Sequence, residues 1–138
     1  MSVEERQALE FINTHHRAVL ATYRRDGTAQ MSPVVAAADS EGRLLVSTRE
    51  GASKTANLRR DPRVALVAFT DGFFGPWVAA WGQADVISLP PALPLLEDYY
   101  RRVVGEHPDW EEYREAMKRE RRVLLRITVQ RWGPERSG

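Results

Sequence analysis

The sequence predicts a mainly β chain with helices, an α+β fold in which six antiparallel strands form a small barrel. Three observations support this prediction. Short apolar, β-branched runs recur between turn signals rich in Gly, Asp and Pro. The last run alternates apolar and polar residues with the period of a half-buried strand, and helical spacing is confined to a few segments. The length of 138 residues suits a single domain, residues 1–138.

The chain begins with a predicted helix and a predicted hairpin. Residues 3–14 carry their apolar side chains on one helical stripe, and Ser2 is placed to cap that helix. Two strands, residues 18–23 and 29–38, flank the Asp26-Gly27 step, which is favoured in tight hairpins. Pro33 cannot donate to a strand ladder. We therefore expect its part of the second strand to be an edge, a bulge or a stretch that faces a cofactor.

Four more strands and three more helices complete the prediction. The basic segment between the third and fourth strands is predicted to be a short helix. Two further segments with apolar residues at helical spacing precede the final strand. The four strands are residues 43–48, 64–69, 77–87 and 123–130, and the two later helices are residues 96–103 and 110–117.

Composition restricts the function classes. Cysteine is absent, which excludes disulfides, a thiol nucleophile and a thiolate metal site, so redox chemistry requires a bound cofactor. The N-terminal segment lacks the basic start and apolar run of a signal peptide, and no apolar stretch is long enough to span a bilayer. We therefore expect a cytoplasmic protein without a membrane partner. The formal net charge of +1 is too close to zero to indicate nucleic-acid binding.

The strongest local signal is the segment 48–55, a strand end that leads through a short loop into the basic helix. The free amides and the dipole of a helix N-terminus favour an anion, and a phosphate is expected here. Lys54 supplies charge, while Ser53 and Thr55 supply hydroxyl donors. The alternative is a capped helix with a solvated basic face. A nucleotide-binding P-loop is excluded, because Thr48 and Ser53 stand where that motif requires glycine.

Other candidate residues have structural explanations. His15 and His16 are adjacent, so their side chains diverge and cannot chelate one metal. His107 lies in a predicted turn between helices, where a capping or solvent-facing role is expected. Asp109 and the acids that follow it suit the first turn of a helix. No metal site is predicted, and the residues leave the catalytic group unknown.

The loop around Gly75-Pro76 carries Phe73, Phe74 and Trp77. Three large aromatic side chains are poorly explained by a connection that only faces solvent. We expect this loop to pack on a partner subunit, to line a pocket for a flat ring, or to do both at an interface.

Six segments spread along nearly the whole chain together resemble one known family: residues 18–22, 26–27, 31–34, 45–50, 54–63 and 105–113. Residues 54–63, followed by a Val-rich strand, are the most specific of them. The chain resembles the pyridoxamine 5′-phosphate oxidase-like superfamily of split β-barrels, with an FMN-binding-protein-like fold. The resemblance is greatest to its branch that uses the deazaflavin coenzyme F420.

The resemblance implies a homodimer with two cofactors in grooves between the subunits. It implies a phosphate near Lys54 and Thr55 and a ring against residues 31–34 and 47–50. The cofactor-binding residues predicted in this way, with lining residues added, are Met31, Ser32, Pro33, Val34, Ser47, Thr48, Arg49, Glu50, Ser53, Lys54, Thr55, Asn57, Arg60, Trp77, Val78 and Arg131.

The sequence departs from the vitamin oxidases of this superfamily. Those enzymes resemble it but place basic residues for the flavin phosphate where Met31, Ala36 and Ser53 align. They also carry further basic residues beyond the final strand, whereas this sequence stops at residue 138. Pyridoxamine phosphate oxidase activity is therefore not expected. Retention of Lys54 and of the arginines at the end of its helix favours a cofactor with another anionic tail, such as polyglutamylated F420.

Two functions follow. The first is hydride transfer between reduced F420, or alternatively FMN, and a small conjugated acceptor, with backbone amides of residues 48–50 beside the reduced ring. The second is a dimeric module that binds FMN, F420 or haem without turnover, in keeping with the absence of an obvious acid-base pair. Nucleic-acid binding through residues 54–63 is not expected, because that segment lacks interleaved aromatic residues.

Overall fold

The computed structural model describes residues 1–134 and contains every element that the sequence predicts. Several bounds differ by a few residues, and β6 is longer than predicted because its end pairs with β5 through Gly133. The helices are α1 Val3–Thr14, α2 Ser53–Arg60, α3 Ala92–Val103 and α4 Trp110–Arg119. The strands are β1 Arg17–Tyr23, β2 Ala29–Ala38, β3 Leu44–Arg49, β4 Arg63–Phe69, β5 Trp77–Ile87 and β6 Arg122–Gly133.

The six strands close into a barrel in the order β1-β2-β3-β6-β5-β4, and every neighbouring pair is antiparallel. Alternate residues of each strand point inward and form the core, as in Leu20 of β1, Leu66 of β4 and Leu125 of β6. α1 closes one side of the barrel with Leu9 and Ile12. The predicted α+β fold with a six-stranded antiparallel barrel is confirmed.

A second apolar cluster lies outside the barrel. The helix pair α3 and α4 packs on the outer side of β3 and β6, where Leu45 and Leu124 meet Leu96 and Met117. This part of the two strands is therefore covered on both faces, which explains the nearly continuous burial of β3 and of the first half of β6. No helix among residues 1–134 has the length and apolar character needed to cross a membrane.

β2 is only partly paired. All seven residues of β1 have a partner in β2, whereas β3 pairs with β2 only at Ala36–Ala38. Residues 29–35 thus form an edge on the β3 side, and Pro33 lies within it, in agreement with the expectation from its missing donor. The Tyr99 hydroxyl of α3 donates to the Val35 carbonyl at 2.8 Å, which ties the helix pair to the end of this edge.

Two glycines are required by the backbone. Gly27 in the β1–β2 hairpin has φ of +85°, a conformation that other residues rarely adopt. At Gly82 the register between β5 and β6 shifts, and a Cβ there would lie 2.1 Å from the Thr128 carbonyl oxygen. Gly82 therefore permits the close approach that closes the barrel on this side.

Candidate functional site

A cavity of about 940 Å³ lies where β2 and β3 diverge. One wall is formed by the outer side of the strands, including Pro33, Val35 and Ser47. The opposite wall is formed by α3, α4 and the turn between them. The helical residues on this wall include Tyr99, Tyr100, Tyr113, Ala116 and Met117, and the turn contributes His107. The volume is that of pockets that hold cofactors and other small molecules.

Lys54 lies at one end of the cavity, in the first turn of α2. Its side chain is partly buried and makes no hydrogen bond or ion pair with any residue in the described part of the chain. Burial, and then the nearby Arg122 guanidinium, lower the pKa of the Lys54 ammonium below its ordinary value. The ammonium is therefore held without a counter-charge, where an anion would stabilise it.

The start of α2 leaves its backbone donors uncapped. Ala52 occupies the N-cap position and has no side chain that can accept a hydrogen bond, and the first turn contains no acidic residue. The amides at this end and the helix dipole both favour a negative group. This lack of a cap differs from α1 and α4, whose N-cap residues Ser2 and Asp109 accept from backbone amides.

Charges near Lys54 are predominantly positive. Arg122, which also lines the cavity, donates to the Glu120 carboxylate at 2.8 Å, and Arg49 reaches the same carboxylate at 3.4 Å. The hydrogen bond from Arg122 lowers the pKa of Glu120 below its ordinary value, so Glu120 stays ionised at neutral pH. The Glu120 carboxylate is thus shared by two arginines.

Five of the predicted cofactor residues line the cavity. These are Pro33, Val34, Ser47, Thr48 and Lys54. Together they bring part of the β2 edge, the end of β3 and one lysine to the same space. This arrangement can hold a flat, largely apolar ring beside an anionic group.

Ser32 lies on β2 between Met31 and Pro33, opposite Leu20 of β1. Its hydroxyl oxygen is buried and has no hydrogen-bond partner among residues 1–134. A buried hydroxyl without a partner costs about 1–3 kcal/mol relative to a satisfied one. Ser32 adjoins the cavity without lining it, and a polar atom of a ligand or a water molecule would satisfy it.

Three predicted cofactor residues of α2 make contacts within the protein. The Thr55 hydroxyl donates to the Arg49 carbonyl at 2.7 Å, and the Asn57 amide donates to the Thr22 hydroxyl at 3.1 Å. Arg60 donates to the Tyr23 carbonyl at 2.6 Å and to the Asn57 side-chain oxygen. Thr55 and Asn57 are buried, so these bonds attach α2 to the barrel.

The residues around the β3–α2 loop are also engaged. Glu50 accepts two hydrogen bonds from Arg59, at 2.7 and 2.8 Å, and its own amide donates to the Arg121 carbonyl. The backbone amide of Glu50 therefore already has a hydrogen-bond partner within the protein. Arg49 is exposed apart from its contact with Glu120, and Ser53 is exposed at the start of α2.

The remaining predicted residues lie outside this cavity. Met31 is 66 % exposed and Trp77 is 38 % exposed, both on the outer side of the barrel. Arg131 stacks over the Trp81 ring at 4.4 Å from its centroid. Val78 packs against the barrel core. The structure of one chain therefore does not bring these four residues together with Lys54.

Sequence reasoning did not assign the helical wall to the site. Its residues were interpreted as a helix stripe or a turn, because their helical spacing indicates burial but does not identify the surface that they face. A concentration of tyrosine, tryptophan and histidine in residues 99–113 was the available signal.

Comparisons with known proteins agree with this architecture. A family model described as pyridoxamine 5′-phosphate oxidase matches residues 5–134. The crystal structure of the conserved hypothetical protein Rv2991 from Mycobacterium tuberculosis is 25% identical, with a TM-score of 0.75, and covers 100% of this chain and 92% of that one.

Two other solved structures share the fold. A protein titled F420 reductase is 19% identical, with a TM-score of 0.69, over 90% of this chain and 94% of that one. A putative pyridoxamine 5′-phosphate oxidase from Listeria innocua is 16% identical, with a TM-score of 0.70, over 97% of this chain and 99% of that one. The family match spans nearly all of the residues that build the barrel and its cavity, and the chain belongs to the pyridoxamine 5′-phosphate oxidase-like family.

Proposed function

We propose that this protein is an F420-dependent oxidoreductase that transfers hydride between the deazaflavin and a small conjugated acceptor. The family is one of flavin-binding, oxidoreductase-like proteins, and one structural neighbour is titled F420 reductase. The observation that carries the proposal is Lys54, a partly buried ammonium without a counter-charge among residues 1–134, beside the uncapped start of α2 and within a cofactor-sized cavity.

The phosphate of the cofactor would lie at Lys54. The ammonium and the first-turn amides of α2 supply donors to it, and Arg122 adds positive charge from the other side. The ring would lie along Pro33 and Val34, with the hydroxyls of Ser47 and Thr48 at its polar edge. When bound, the cofactor supplies the hydride chemistry that the side chains lack.

The residues around the cavity favour F420 over FMN. Met31, Ala36 and Ser53 give no positive charge, and Ala36 is fully buried, so Lys54 is the principal ligand for a phosphate. A phosphodiester carries one negative charge, whereas a phosphomonoester such as that of FMN carries nearly two and requires more cationic partners for full neutralisation. A phosphodiester-linked cofactor such as F420 is therefore favoured.

The sequence predicts the arginines at the end of α2 as partners for the anionic tail of F420, and the structure offers a second set of cations. Arg59 and Arg60 are engaged by Glu50 and the Tyr23 carbonyl. A smaller groove of about 320 Å³ includes Arg121 and shares Arg122 with the main cavity. We therefore assign the tail to this groove.

The protein would contribute binding and orientation. The hydroxyls of Tyr99 and Tyr113 donate to the carbonyls of Val35 and Leu96, both at 2.8 Å, and burial raises the pKa of each above its ordinary value. Neither hydroxyl is a good proton donor in this state. The helical wall also shields one side of the cavity from water, which strengthens electrostatic contacts inside it.

We further propose a homodimer with the cavity at its interface. Register places apolar residues side by side across β2, β1, β4 and β5 on the outer side of the barrel. We call this surface the outer apolar face; it comprises Val19, Ala21, Met31, Pro33, Val35, Ala65, Val67, Trp77 and Trp81. Phe73 and Phe74, 83 % and 97 % exposed, adjoin it. A second copy is the natural cover for such a surface.

In the proposed dimer, residues that lie outside the cavity of their own chain would contact the cavity of the partner. Trp77 and Arg131 lie on the outer side of the barrel, and the cavity opens at the edge of the outer apolar face through Pro33 and Val35. In a dimer, Trp77 and Arg131 would reach the partner's cavity.

The proposed interface is tested by its oligomeric state. Val67→Glu is expected to give a monomer in sedimentation experiments, whereas Thr128→Glu, at an exposed β6 position, leaves a dimer. A monomeric wild-type protein would exclude this interface.

Binding and turnover are tested separately. The purified protein is titrated with F420 and with FMN, and oxidation of reduced F420 is then followed with cyclohex-2-en-1-one as acceptor. We expect micromolar F420 affinity that Lys54→Ala weakens by about tenfold or more, as for loss of a charged hydrogen bond. Arg6→Ala, on the remote helix α1, is the control. Equal affinity in Lys54→Ala and wild type rejects the phosphate assignment.

The second candidate is a module that binds F420, FMN or haem without turnover. It is favoured by one observation: two of the three tyrosine hydroxyls next to the cavity, those of Tyr99 and Tyr113, are engaged by backbone carbonyls. Tight binding without oxidation of reduced cofactor by any conjugated acceptor would support this function instead.

A further inference from the structure

We propose that His107 binds the hydride acceptor, donating a hydrogen bond from its Nε2–H to the acceptor's carbonyl oxygen. The inference rests on the proposed function and extends it to the opposite wall of the cavity. It defines an acceptor subsite on the turn between α3 and α4, with a neutral hydrogen-bond donor and aromatic surroundings.

His107 is held in place by packing. The residue lines the cavity, and its ring centroid lies 5.1 Å from that of Tyr100, 5.7 Å from that of Trp110 and 5.5 Å from that of Tyr113. Arg101 covers the Trp110 ring, and Glu106 accepts from the indole N–H at 3.1 Å. A ring surrounded in this way has little rotational freedom, which suits a group that must orient a small ligand.

The tautomer of His107 follows from one hydrogen bond. The Asp109 backbone N–H donates to Nδ1 of His107 at 2.9 Å. Because Nδ1 accepts this bond it carries no proton, and the neutral ring therefore carries its proton on Nε2. Asp109 is itself fixed as the N-cap of α4, where its carboxylate accepts from the Glu112 amide at 3.2 Å. The fold thus leaves Nε2–H as the donor of this side chain.

The neighbouring polar groups on this wall differ in what they offer. The Tyr99 and Tyr113 hydroxyls donate to backbone carbonyls. Glu112 interacts with Arg119 and is an acceptor when ionised. The Tyr100 hydroxyl is the other neutral donor on the wall, and it differs from His107 in that its O–H rotates freely. Tyr100 therefore serves as the comparison in the test.

The chemistry of this subsite selects an uncharged, planar acceptor with a conjugated carbonyl group. The β-carbon of an enone accepts the hydride, and the C=C electron pair moves to the oxygen to form an enolate. The Nε2–H of His107 stabilises the negative charge that develops on this oxygen. Solvent then protonates the α-carbon, so that the products are the saturated ketone and the oxidised cofactor.

The first test is nuclear magnetic resonance of protein labelled with ¹⁵N-histidine. The chain contains three histidines, and the His107→Gln variant assigns the signal of His107. We expect the Nε2–H tautomer, and a shift of that signal when cyclohex-2-en-1-one is added to the F420-bound protein. His15 and His16 are internal controls. The Nδ1–H tautomer, or no response to the enone, would overturn the inference.

The second test separates binding from structure by kinetics with the same enone. His107→Phe is expected to reduce kcat/KM by about 3- to 10-fold, as for loss of one neutral hydrogen bond, with F420 affinity unchanged. His107→Gln places an amide N–H near the Nε2 position and is expected to restore most of the loss. Tyr100→Phe removes the competing donor of the wall, and His15→Phe, at the C-cap of α1 and outside the cavity, is the matched control.

The results of these experiments distinguish failure of the proposed F420-dependent function from failure of the assignment of His107. Failure of the wild-type protein to bind F420 rejects the proposed function. If F420 binds normally but His107→Gln is as impaired as His107→Phe, or Tyr100→Phe alone is impaired, the assignment of His107 is rejected while the proposed function stands.

Discussion

Lys54 and Arg60 belong to the same short helix, and the sequence predicted both as cofactor ligands, but the structure gives them different surroundings. Arg60 donates to the Tyr23 carbonyl and to the Asn57 side chain. Lys54 lines the cavity and has no hydrogen bond or ion pair within residues 1–134. Basic residues that lie close together on one helix therefore do not form a single ligand-binding site.

Helix geometry explains the difference. Six residues separate the two side chains by about 9 Å along the axis and rotate them about 120° apart. The end of the helix that carries Lys54 has free amides and favours anions, whereas Arg60 lies where free carbonyls favour cations. One cation is therefore available to a ligand, and the other stabilises the helix end.

The largest expected effect is on cofactor affinity. Lys54→Met should weaken F420 binding by about 10- to 100-fold, because a charged hydrogen bond is worth roughly 1.5–3 kcal/mol. Arg60→Met should change it by less than about threefold. Titration of both variants measures the two dissociation constants. A larger loss of F420 affinity in Arg60→Met than in Lys54→Met would show that Arg60, and not Lys54, is the cofactor ligand.

The next effect is on stability. Asn57→Ala removes the buried bond to Thr22 and one partner of Arg60, and should lower the free energy of unfolding by about 1–3 kcal/mol. Urea unfolding measures this change. Ser53→Ala, at an exposed position of α2, should stay within about 0.5 kcal/mol of wild type. If Asn57→Ala instead weakened F420 binding at full stability, its assignment as a structural residue would be wrong.

A smaller effect concerns pH. The pKa of Lys54 in the free protein lies below its ordinary value of 10.5, and a bound anion would raise it. The affinity for F420 should therefore decrease as the pH rises through this lowered pKa, and Lys54→Met should lack that component. The advantage of wild type over Lys54→Met should shrink as the pH rises through that lowered pKa. A constant ratio of the two affinities would contradict the role of the ammonium.

The smallest effect concerns the ion pair of Glu50 and Arg59. Both side chains are partly exposed, at 30% and 43%, so the pair should contribute only about 0.2–1 kcal/mol to stability. A double-mutant cycle with Glu50→Gln and Arg59→Gln measures this coupling by urea unfolding. F420 affinity should change little in either variant. A strong loss of F420 affinity in Arg59→Gln alone would show that the anionic tail binds Arg59.

Much of the fold was predictable because it depends on local periodicity. The alternation in β6 and the turn signals around Gly27 specify strands and hairpins within a few neighbouring residues. Pro33 indicated an edge for a chemical reason, the missing N–H, which holds wherever the strand is placed. Lys54 was predicted as an anion ligand for a similar local reason, its position at the start of a helix.

The helical wall and the partners of the arginines were not predictable in this way. α3 and α4 dock on Leu45 of β3, more than 40 residues before them, and on Leu124 of β6, which pairs with β3. Arg60 meets the carbonyl of Tyr23, a residue 37 positions earlier. Such contacts exist only after the barrel has closed, so residue type alone does not distinguish an arginine that binds a ligand from one that binds the backbone.

The sequence by itself determined the order and type of the elements, the missing strand donor at Pro33 and the free backbone amides at the start of α2, because each follows from backbone chemistry within one or two turns of chain. Only the tertiary structure decided which cation stays unpartnered, that His107 faces a cavity, and that its Asp109 contact leaves the proton on Nε2. These features depend on long-range packing, which brings together groups that local propensity does not relate.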